Sequence, residues 1–348
     1  MINVLVTGGG SPGIAGTIYA LKKGNPRIRI IVADIRSDVV GRYLADAFYV
    51  IPKPSHIGFI DKINEICEKE WVDVILPQVE DELNILASNH FRAKVAISKP
   101  DSIYVASNKQ ELAFVASTLG IPLPKFMVAS DKESFQTAVY EMGYPEKKIV
   151  VKPPIGSGMR GFRILCSKPW DYSRFIEEKP NRVEVTLESF LDIFDKEFPK
   201  LMVVENLPGK EYTVDCYRSD KGFVAIPRLR EHIRNGITFD ATVVLDERII
   251  KYCTKLASRL DLKYCFGFQF KEDEEGRPKL IECNPRVQGT MVVSLFAGFN
   301  MIYNSVREAA GLGVDLSDIK LKDGLRFRRY WGGVAIDGDE ISEIHGIF

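Results

Sequence analysis

The sequence is poor in the residues on which metal and disulfide chemistry depend. The six cysteines are scattered and form no C-x-x-C pair, and several lie in apolar runs. We therefore expect buried free thiols in a reducing compartment. The four histidines lie far apart and match no spacing typical of metal ligands, which argues against a zinc site; they are His56, His90, His232 and His345.

Net charge and long apolar runs are lacking as well. Lysine plus arginine equals aspartate plus glutamate, 47 each, so no overall field attracts the protein to nucleic acid or to a membrane surface. No apolar run is long enough to span a bilayer, and the N-terminus lacks the basic flank and apolar length of a signal peptide. We expect a soluble, cytoplasmic protein that binds neither nucleic acid nor membranes and holds any anionic ligand in a local basic cluster.

What the first third does have is an alternation of strand and helix patterns. Strands are predicted at Ile2–Thr7, Ile28–Asp34 and Val72–Pro77, and helices at Ile14–Lys23 and Phe59–Lys69. Such alternation is typical of parallel strands joined by crossover helices. It predicts an α/β domain, a doubly wound sheet of Rossmann-like type, over residues 1–107.

The remainder of the chain has a different organisation. A helix is predicted at Asn108–Leu119, a strand at Ile149–Lys152, and a hairpin from Tyr264–Lys271 and Pro278–Asn284. Antiparallel strands mixed with helices indicate α+β architecture. We place one subdomain at 108–200 and a second at 201–348.

A glycine motif follows the first strand. Gly8, Gly10 and Gly13 satisfy G-x-G-x-x-G, and Asp34 lies 21 residues beyond the last glycine, at the end of the next strand. This pattern is the dinucleotide-binding fingerprint in its usual context, so NAD binding is one interpretation of the loop. Two other interpretations remain open: glycines that permit a tight turn, or a helix N-terminus that holds a substrate anion at Gly10.

A second glycine-rich loop follows a buried strand that ends in Lys152. Its backbone N–H groups could approach phosphate oxygens while the lysine supplies a positive charge. The lysine precedes the glycines, so this is not a P-loop; a surface hairpin is the alternative. The loop residues concerned are Gly156, Ser157, Gly158 and Gly161.

Two strand ends carry further polar residues. Glu205 ends an apolar strand and Glu211 begins the next, which suits adenine and ribose recognition, although an ordinary hairpin would look the same. In the later hairpin, alternation places Gln269, Glu282 and Asn284 on one polar face. Oxygen ligands of this kind suit Mg²⁺ bound together with nucleotide phosphates; a solvated strand face is the alternative.

The order of these motifs resembles the ATP-grasp superfamily, in particular the synthetase half of the carbamoyl phosphate synthetase large chain and its stand-alone relatives. The resemblance rests on the ordered set Asn108-Lys109, Val151-Lys152-Pro153 with Gly156–Gly161, Glu205 to Asp215, Phe268–Phe270 and Ile281–Arg286, and it covers about residues 1–312. It implies a Rossmann-like N-terminal domain that does not bind NAD, followed by an ATP-grasp fold of two α+β subdomains that grip ATP.

The resemblance also implies roles for individual residues. Phosphates would be held by Lys109 and Lys152 under a lid formed by the glycine loop. The adenosine would contact Glu205, Asn206, Leu207 and Glu211. Mg²⁺ would be bound by Glu282 and Asn284, with Gln269 close by, and Arg286 would face the γ-phosphate. Many relatives carry a carboxylate where Gln269 stands, which puts a second protein-bound metal in doubt.

The expected activity is that of an ADP-forming carboxylate–amine ligase using ATP and Mg²⁺, with a homodimer as a possible state. The alternatives are a carbamoyl phosphate synthetase-like subunit that needs a partner and, with less support, an NAD-dependent oxidoreductase. We also predict that Arg230 and Arg234 grip a substrate carboxylate, because they are not needed for ATP; an exposed charged strand is an equal alternative.

Overall fold

The structure, a computed structural model, describes residues 2–156, 158–178, 183–194, 197–330, 332–337 and 340–343. Its strands are β1 Asn3–Thr7, β2 Arg29–Asp34, β3 Ala47–Val50, β4 Val74–Leu76, β5 Lys94–Val95, β6 Phe126–Ala129, β7 Ile149–Lys152, β8 Arg163–Leu165, β9 Glu184–Val185, β10 Leu201–Glu205, β11 Glu211–Ser219, β12 Gly222–Arg234, β13 Ile237–Val243, β14 Tyr264–Glu272, β15 Pro278–Asn284, β16 Arg326–Arg328, β17 Val334–Asp337 and β18 Glu340–Glu343. Its helices are α1 Ile14–Gly24, α2 Val40–Leu44, α3 Phe59–Lys69, α4 Leu83–Ala87, α5 Pro100–Ser107, α6 Lys109–Thr118, α7 Lys132–Glu141, α8 Tyr172–Glu177, α9 Leu187–Leu191, α10 Glu247–Arg259, α11 Val293–Phe296 and α12 Met301–Ala309, with a 3₁₀ turn at Glu80–Glu82.

The chain divides into two compact units. Unit 1 comprises residues 1–107, 211–270 and 282–348, and unit 2 comprises 108–210 and 271–281. This division differs from the predicted boundary at 200/201. Strand β10 pairs antiparallel with both β6 and β7, and these backbone hydrogen bonds place residues 201–205 in the sheet of unit 2.

Unit 1 begins with a five-stranded sheet in the order β3-β2-β1-β4-β5, with every pair parallel. The central strands are buried on both faces, as continuous apolar runs in parallel sheets require. The predicted doubly wound sheet is therefore confirmed. Helix α2 and strand β3 were not predicted, since both are short and carry partly exposed residues.

The rest of unit 1 is built on a six-stranded sheet in the order β15-β14-β11-β12-β13-β16. Alternate residues Phe266, Phe268 and Phe270 on β14 are fully buried, so the predicted core face is confirmed. Strand β16 pairs antiparallel with β13 and closes this edge of the sheet.

Unit 2 contains a five-stranded sheet in the order β6-β10-β7-β8-β9, with helices α6 and α7. Helix α6 begins at Lys109 because the Asn108 side chain caps it, accepting hydrogen bonds from the backbone N–H groups of Gln110 and Glu111. The cap fixes Lys109 as the first residue of the helix. Its ammonium group is thus attached to the electropositive end of the helix dipole.

All six cysteines are buried and unpaired, as predicted. Burial raises the pKa of Cys67 and of Cys265 to about 12, so neither thiol forms an appreciable amount of thiolate near neutral pH. Within the described residues, no helix combines the length and the apolar character that crossing a bilayer requires.

Candidate active site

A small apolar pocket in unit 2 has two lysines in its lining. Lys109 comes from the start of α6 and Lys152 from the end of β7, and the walls are mainly Leu112, Phe126, Met202 and Ile281. An apolar chamber with ammonium groups beside it has the composition that a purine ring and its phosphates need. The two lysines that the resemblance assigned to phosphates are thus brought together.

The pocket is narrow in this structure. Its cavity volume is about 20 Å³, which is room for a single water molecule rather than a purine. Lys152 donates a hydrogen bond from Nζ to the carbonyl of Ile281 at 3.2 Å, and Lys109 donates to the carbonyl of Gly156 at 2.9 Å. A nucleotide would therefore have to displace wall side chains and replace carbonyl oxygens with phosphate oxygens around these ammonium groups.

The glycine loop after β7 depends on backbone conformations that favour glycine. Gly158 and Gly161 have φ values of 64° and 72°, in the left-handed region that other residues enter at a cost. The first part of the loop contacts the start of α6, because the backbone N–H of Lys109 donates a hydrogen bond to the carbonyl of Pro154. Ser157, predicted as a phosphate contact, lies outside the described residues.

The end of β10 is fixed by hydrogen bonds to neighbouring segments. The Glu205 carboxylate accepts from the backbone N–H of Lys125 at 2.8 Å and lies 3.1 Å from Lys279 Nζ. Leu207 is buried and Asn206 follows the strand directly. The carboxylate of Glu205 therefore anchors the segment, and the predicted contact with adenine would depend on the backbone of residues 205–207.

In unit 1, three predicted residues form a hydrogen-bonded row at the end of β15. Asn284 donates from its amide to Glu282 Oε1 at 3.1 Å and accepts from Arg286 Nη2 at 3.0 Å. Arg286 Nη2 also lies 3.5 Å from the carboxylate of Glu80. No lysine, arginine or histidine of the described residues pairs with Glu282, so the carboxylate is free to bind a cation.

The row suits magnesium better than a metal held by the protein alone. Among the described residues, no three His, Cys, Asp or Glu side chains are grouped to hold a metal ion. The available ligands are one carboxylate and neighbouring amides, all of which offer oxygen. Mg²⁺ typically takes one or two protein carboxylates and completes its shell with water and phosphate oxygens, so this set of residues fits that ion.

A second polar cluster lies on strands β11 to β14. The Arg230 guanidinium pairs with Glu211, donates to Thr238 Oγ1 at 2.9 Å, and approaches Gln269 Oε1 at 3.4 Å. Burial lowers the pKa of Arg230, while Glu211 and Glu282 oppose that shift, which places Glu282 within electrostatic reach. Gln269 therefore lies in the same polar environment as Glu282.

The two arginines predicted to grip a substrate have different partners in the structure. Arg234 is exposed at the end of β12, donates to His232 Nε2, and stacks over the ring of Phe239. The pairing of β12 with β13 changes register between Arg230 and Ile233. The side chains of Arg230 and Arg234 share no hydrogen-bonding partner among the described residues.

One residue of the site was missed by sequence reasoning. Gln288 is 7% exposed, and neither its amide nitrogen nor its oxygen has a hydrogen-bond partner among the described residues. An unpaired buried amide costs about 1–3 kcal/mol, which points to a polar ligand at this position. No residue pattern indicated Gln288, because β15 ends at Asn284 and strand alternation does not extend to residue 288.

The N-terminal glycine motif has a structural explanation in this protein. The backbone N–H of Gly10 donates to Asp34 Oδ2 at 2.7 Å, and the backbone N–H of Arg36 donates to Oδ1. A Cβ at Gly13 would lie 2.7 Å from Gly289 Cα, so this glycine permits close packing. Asp34 therefore fastens the loop instead of being presented to a ribose, and the motif does not support NAD binding.

A buried carboxyl group lies beside this loop. Glu82 is 2% exposed and accepts hydrogen bonds through Oε1 from Thr7 Oγ1 and from the backbone N–H of Val79. Burial raises the pKa of Glu82 to about 7, and Asp34 adds to the shift. The folded protein therefore retains this proton at pH values where the unfolded chain has lost it.

We expect Glu82→Gln to stabilise the protein by about 2 kcal/mol more at pH 8 than at pH 5. Wild-type stability decreases between the unfolded pKa of about 4.3 and the folded pKa of about 7, because only the unfolded chain is ionised there. The glutamine does not titrate. Urea unfolding of wild type and variant at both pH values measures the difference. Glu65→Gln on α3 is the control. If Glu82→Gln changes the free energy of unfolding equally at pH 5 and pH 8, the prediction is contradicted.

Comparison with known proteins identifies the class. The sequence model of the family described as "ATP-grasp in the biosynthetic pathway with Ter operon" matches residues 197–330, and that of "PylC-like, N-terminal domain" matches residues 4–98. The chain therefore contains an ATP-grasp domain and a PylC-like N-terminal domain, and the predicted relationship to the ATP-grasp superfamily is confirmed.

Individual relatives are similar over part of their length. The carbamoyl phosphate synthase large chain of Clostridium acetobutylicum is 27% identical over 280 residues, which cover 74% of this chain and 24% of that protein. A formate-dependent phosphoribosylglycinamide formyltransferase of Pectobacterium carotovorum is 25% identical over 178 residues, covering 49% of this chain and 43% of that protein. The chain thus spans about a quarter of the first relative and under half of the second.

Solved structures agree on the fold. N5-carboxyaminoimidazole synthetase from Staphylococcus aureus, complexed with ADP, has a TM-score of 0.69 at 15% identity and covers 92% of this chain and 80% of its own. The biotin carboxylase domain dimer of Hydrogenobacter thermophilus 2-oxoglutarate carboxylase has a TM-score of 0.70 at 16% identity, covering 99% and 83%. At these identities the likeness establishes the fold alone, and the predicted fold class is confirmed.

Proposed function

We propose that this protein is an ATP-dependent ligase that activates a carboxylate as an acyl phosphate and joins it to an amine. The observation that carries the proposal is the apolar pocket of unit 2, whose lining includes both Lys109 and Lys152. Support comes from similar folds solved with ADP and, in one case, with MgADP and bicarbonate. The ordered row of Glu282, Asn284 and Arg286 supports the same chemistry.

The parts have distinct roles in this proposal. The apolar walls take the adenine ring, and the two lysines bind the phosphates. Glu282 and Asn284, with Gln269 nearby, would hold Mg²⁺, which neutralises charge on the phosphates when bound. Lys152 donates to the carbonyl of Ile281, and Glu282 is the next residue along the chain.

The reaction would proceed in two steps. A carboxylate oxygen attacks the γ-phosphorus of ATP, and the bond to the bridging oxygen breaks to release ADP. The amine nitrogen then attacks the acyl carbon, phosphate leaves, and the nitrogen loses a proton. Arg286 would offset the charge on the transferring phosphoryl group. The amide of Gln288, which has no hydrogen-bond partner among the described residues, is suited to hold the carboxylate beside it.

Neutralising either lysine tests the nucleotide assignment. We expect Lys109→Met and Lys152→Met each to weaken Mg-ATP binding by about 10- to 100-fold, because each removes a charge-assisted contact with phosphate. Isothermal titration with Mg-ATP measures the change. Lys132→Met, an exposed lysine at the start of α7, is the matched control and should bind as wild type does.

Three results would contradict or redirect the proposal. Wild-type affinity in both lysine variants would place the nucleotide elsewhere. Binding of NAD(H) without Mg-ATP would favour the oxidoreductase. Mg-ATP binding without ADP release for any carboxylate and amine tested would favour a synthetase subunit that requires a partner.

Two further expectations belong with this proposal. The biotin carboxylase domain from Hydrogenobacter thermophilus was solved as a dimer, and on that basis we propose a homodimer of this chain; sedimentation velocity would decide it. A cytoplasmic location is proposed from the reduced state that the six buried cysteines favour.

A further inference from the structure

Helix α8 in unit 2 presents its apolar face to solvent. Tyr172, Phe175 and Ile176 have the i, i+3, i+4 spacing of a single helix face, and they are 82%, 72% and 63% exposed. No residue of the helix is buried. A surface helix normally turns its apolar stripe toward the core of the protein. In α8 this orientation is reversed.

The polar side of α8 attaches the helix to the rest of unit 2. Arg174 donates from Nη1 to Glu184 on β9 and to the carbonyl of Pro169, both at 2.6 Å. It also pairs with Glu178 at 2.9 Å, and its guanidinium lies over the ring of Trp170. Because these contacts hold the helix by its charged side, the apolar side is left facing outward.

The exposed face is large for a surface without a partner. An aromatic side chain carries about 150–250 Å² of surface, so Tyr172 and Phe175 alone expose on the order of 300 Å². Ile176 on the same face adds to this area. Monomeric proteins rarely expose contiguous apolar patches above a few hundred Å², and each side of a standard protein interface buries about 800 Å². The face therefore has the extent of the apolar core of such an interface.

The charges at the two ends of the face are complementary to each other. Lys168 precedes the helix and Glu177 ends it; both are exposed, and neither forms an ion pair within the described residues. In a twofold-symmetric pair, each contact between two positions occurs twice. Two antiparallel copies of α8 place Lys168 opposite Glu177 of the partner subunit at both ends, whereas parallel copies would place like charges opposite each other.

The same antiparallel register brings aromatic side chains together. With position 168 opposite position 177, Phe175 is directed toward Trp170 of the partner subunit, and Tyr172 lies close to the twofold axis. Aromatic pairs of this kind stabilise a contact beyond the area that they bury. The apolar residues and the flanking charges thus favour one and the same arrangement.

We propose that the apolar face of α8, formed by Tyr172, Phe175 and Ile176, is the contact surface for a second copy of this chain, packed antiparallel about a twofold axis. The occupant is a second copy because the face carries both members of the charge pair, Lys168 and Glu177. The proposal assigns a surface to self-association and does not depend on the ligase activity.

Sedimentation velocity of the full chain over a range of concentrations measures the association. Phe175→Glu should weaken it by about 100-fold, because the charge replaces an aromatic side chain at the centre of the contact. Lys168→Glu and Glu177→Lys should each weaken it by about tenfold, since each places like charges opposite one another at both ends. The double variant Lys168→Glu/Glu177→Lys should associate as wild type does, because the charge pair is restored in the opposite sense.

Matched controls separate these effects from general changes in surface charge. Lys132→Glu and Glu141→Lys make the same charge reversals, at the same spacing, on exposed positions of α7. Phe114→Glu places a charge at an exposed aromatic position of α6. All three should associate as wild type does, and urea midpoints verify that every variant is folded.

Three results would overturn the proposal. The first is a wild-type chain that does not self-associate, and the second is wild-type association in Phe175→Glu. The third is a double variant that associates no better than the single charge reversals. In each case a different protein or a lipid surface would be the occupant of the face. Mg-ATP binding is measured on the same samples and should not change, so failure of the proposed function is recognised separately.

Discussion

Glu282→Gln should lower the rate of ADP release by roughly 100- to 1000-fold, the range measured for loss of one preorganised electrostatic contact. Glu282 is half-buried and has no cationic partner among the described residues, so its charge is available to a metal beside phosphate. Glutamine keeps the shape and can still accept the hydrogen bond from Asn284. The expected loss therefore reports the missing charge, measured as ADP released with saturating Mg-ATP.

The comparison needs a carboxylate that differs only in position. Glu274 lies exposed in the turn between β14 and β15, so Glu274→Gln should release ADP at the wild-type rate. Raising the Mg²⁺ concentration should restore part of the activity of Glu282→Gln, because the variant keeps the amide ligands. An unchanged rate in Glu282→Gln would show that the carboxylate takes no part in metal binding.

Asp215→Ala should destabilise the protein by about 3–5 kcal/mol, the cost of leaving one partner of a buried ion pair behind. Asp215 and Arg228 are 0% and 1% exposed and are joined by hydrogen bonds of 2.6 and 2.9 Å. Arg228 Nη1 already lacks a partner among the described residues. Domains are stable by about 5–15 kcal/mol, so the loss should appear as a large drop in the urea midpoint.

An exposed pair provides the control for this effect. Asp220 is 82% exposed and pairs with Lys263, so Asp220→Ala should cost less than about 1 kcal/mol. Combining Asp215→Leu with Arg228→Met should recover much of the stability, since no buried charge is then left unpaired. If Asp215→Ala proves as mild as Asp220→Ala, the pair is not buried in solution.

The elements that sequence reasoning missed had signals of different strength. Strand β13 was not predicted, although Asn235-Gly236 directly precedes it and both residues have positive φ values of 49° and 77°. Asn-Gly with positive φ at both positions is typical of a type I′ hairpin turn, so this strand could have been predicted. Strand β6 has four residues and gave no comparable signal, because short apolar runs are ambiguous between strand and helix.

The candidate site was predictable where its residues are neighbours along a strand or a turn. Alternation placed Glu282 and Asn284 on one face, and the cap at Asn108 fixed Lys109 at the start of a helix. Contacts between distant segments were not predictable, and these include Arg286 with Glu80 and Lys109 with Gly156. The change of register in the pairing of β12 with β13 was not predictable either, since no residue pattern indicated it.

The sequence by itself determined the class of sheet in each part of the chain, the core faces of the strands and the order of the polar motifs, because these follow from local periodicity and turn chemistry. Tertiary structure alone decided what each charge faces. The Asp34 carboxylate accepts hydrogen bonds from backbone N–H groups. Gln288 is buried without a hydrogen-bond partner among the described residues. Lys53 and Asp81 line one cavity. The physical reason is that a side chain's partners, its solvation and hence its chemistry are set by segments far away along the chain.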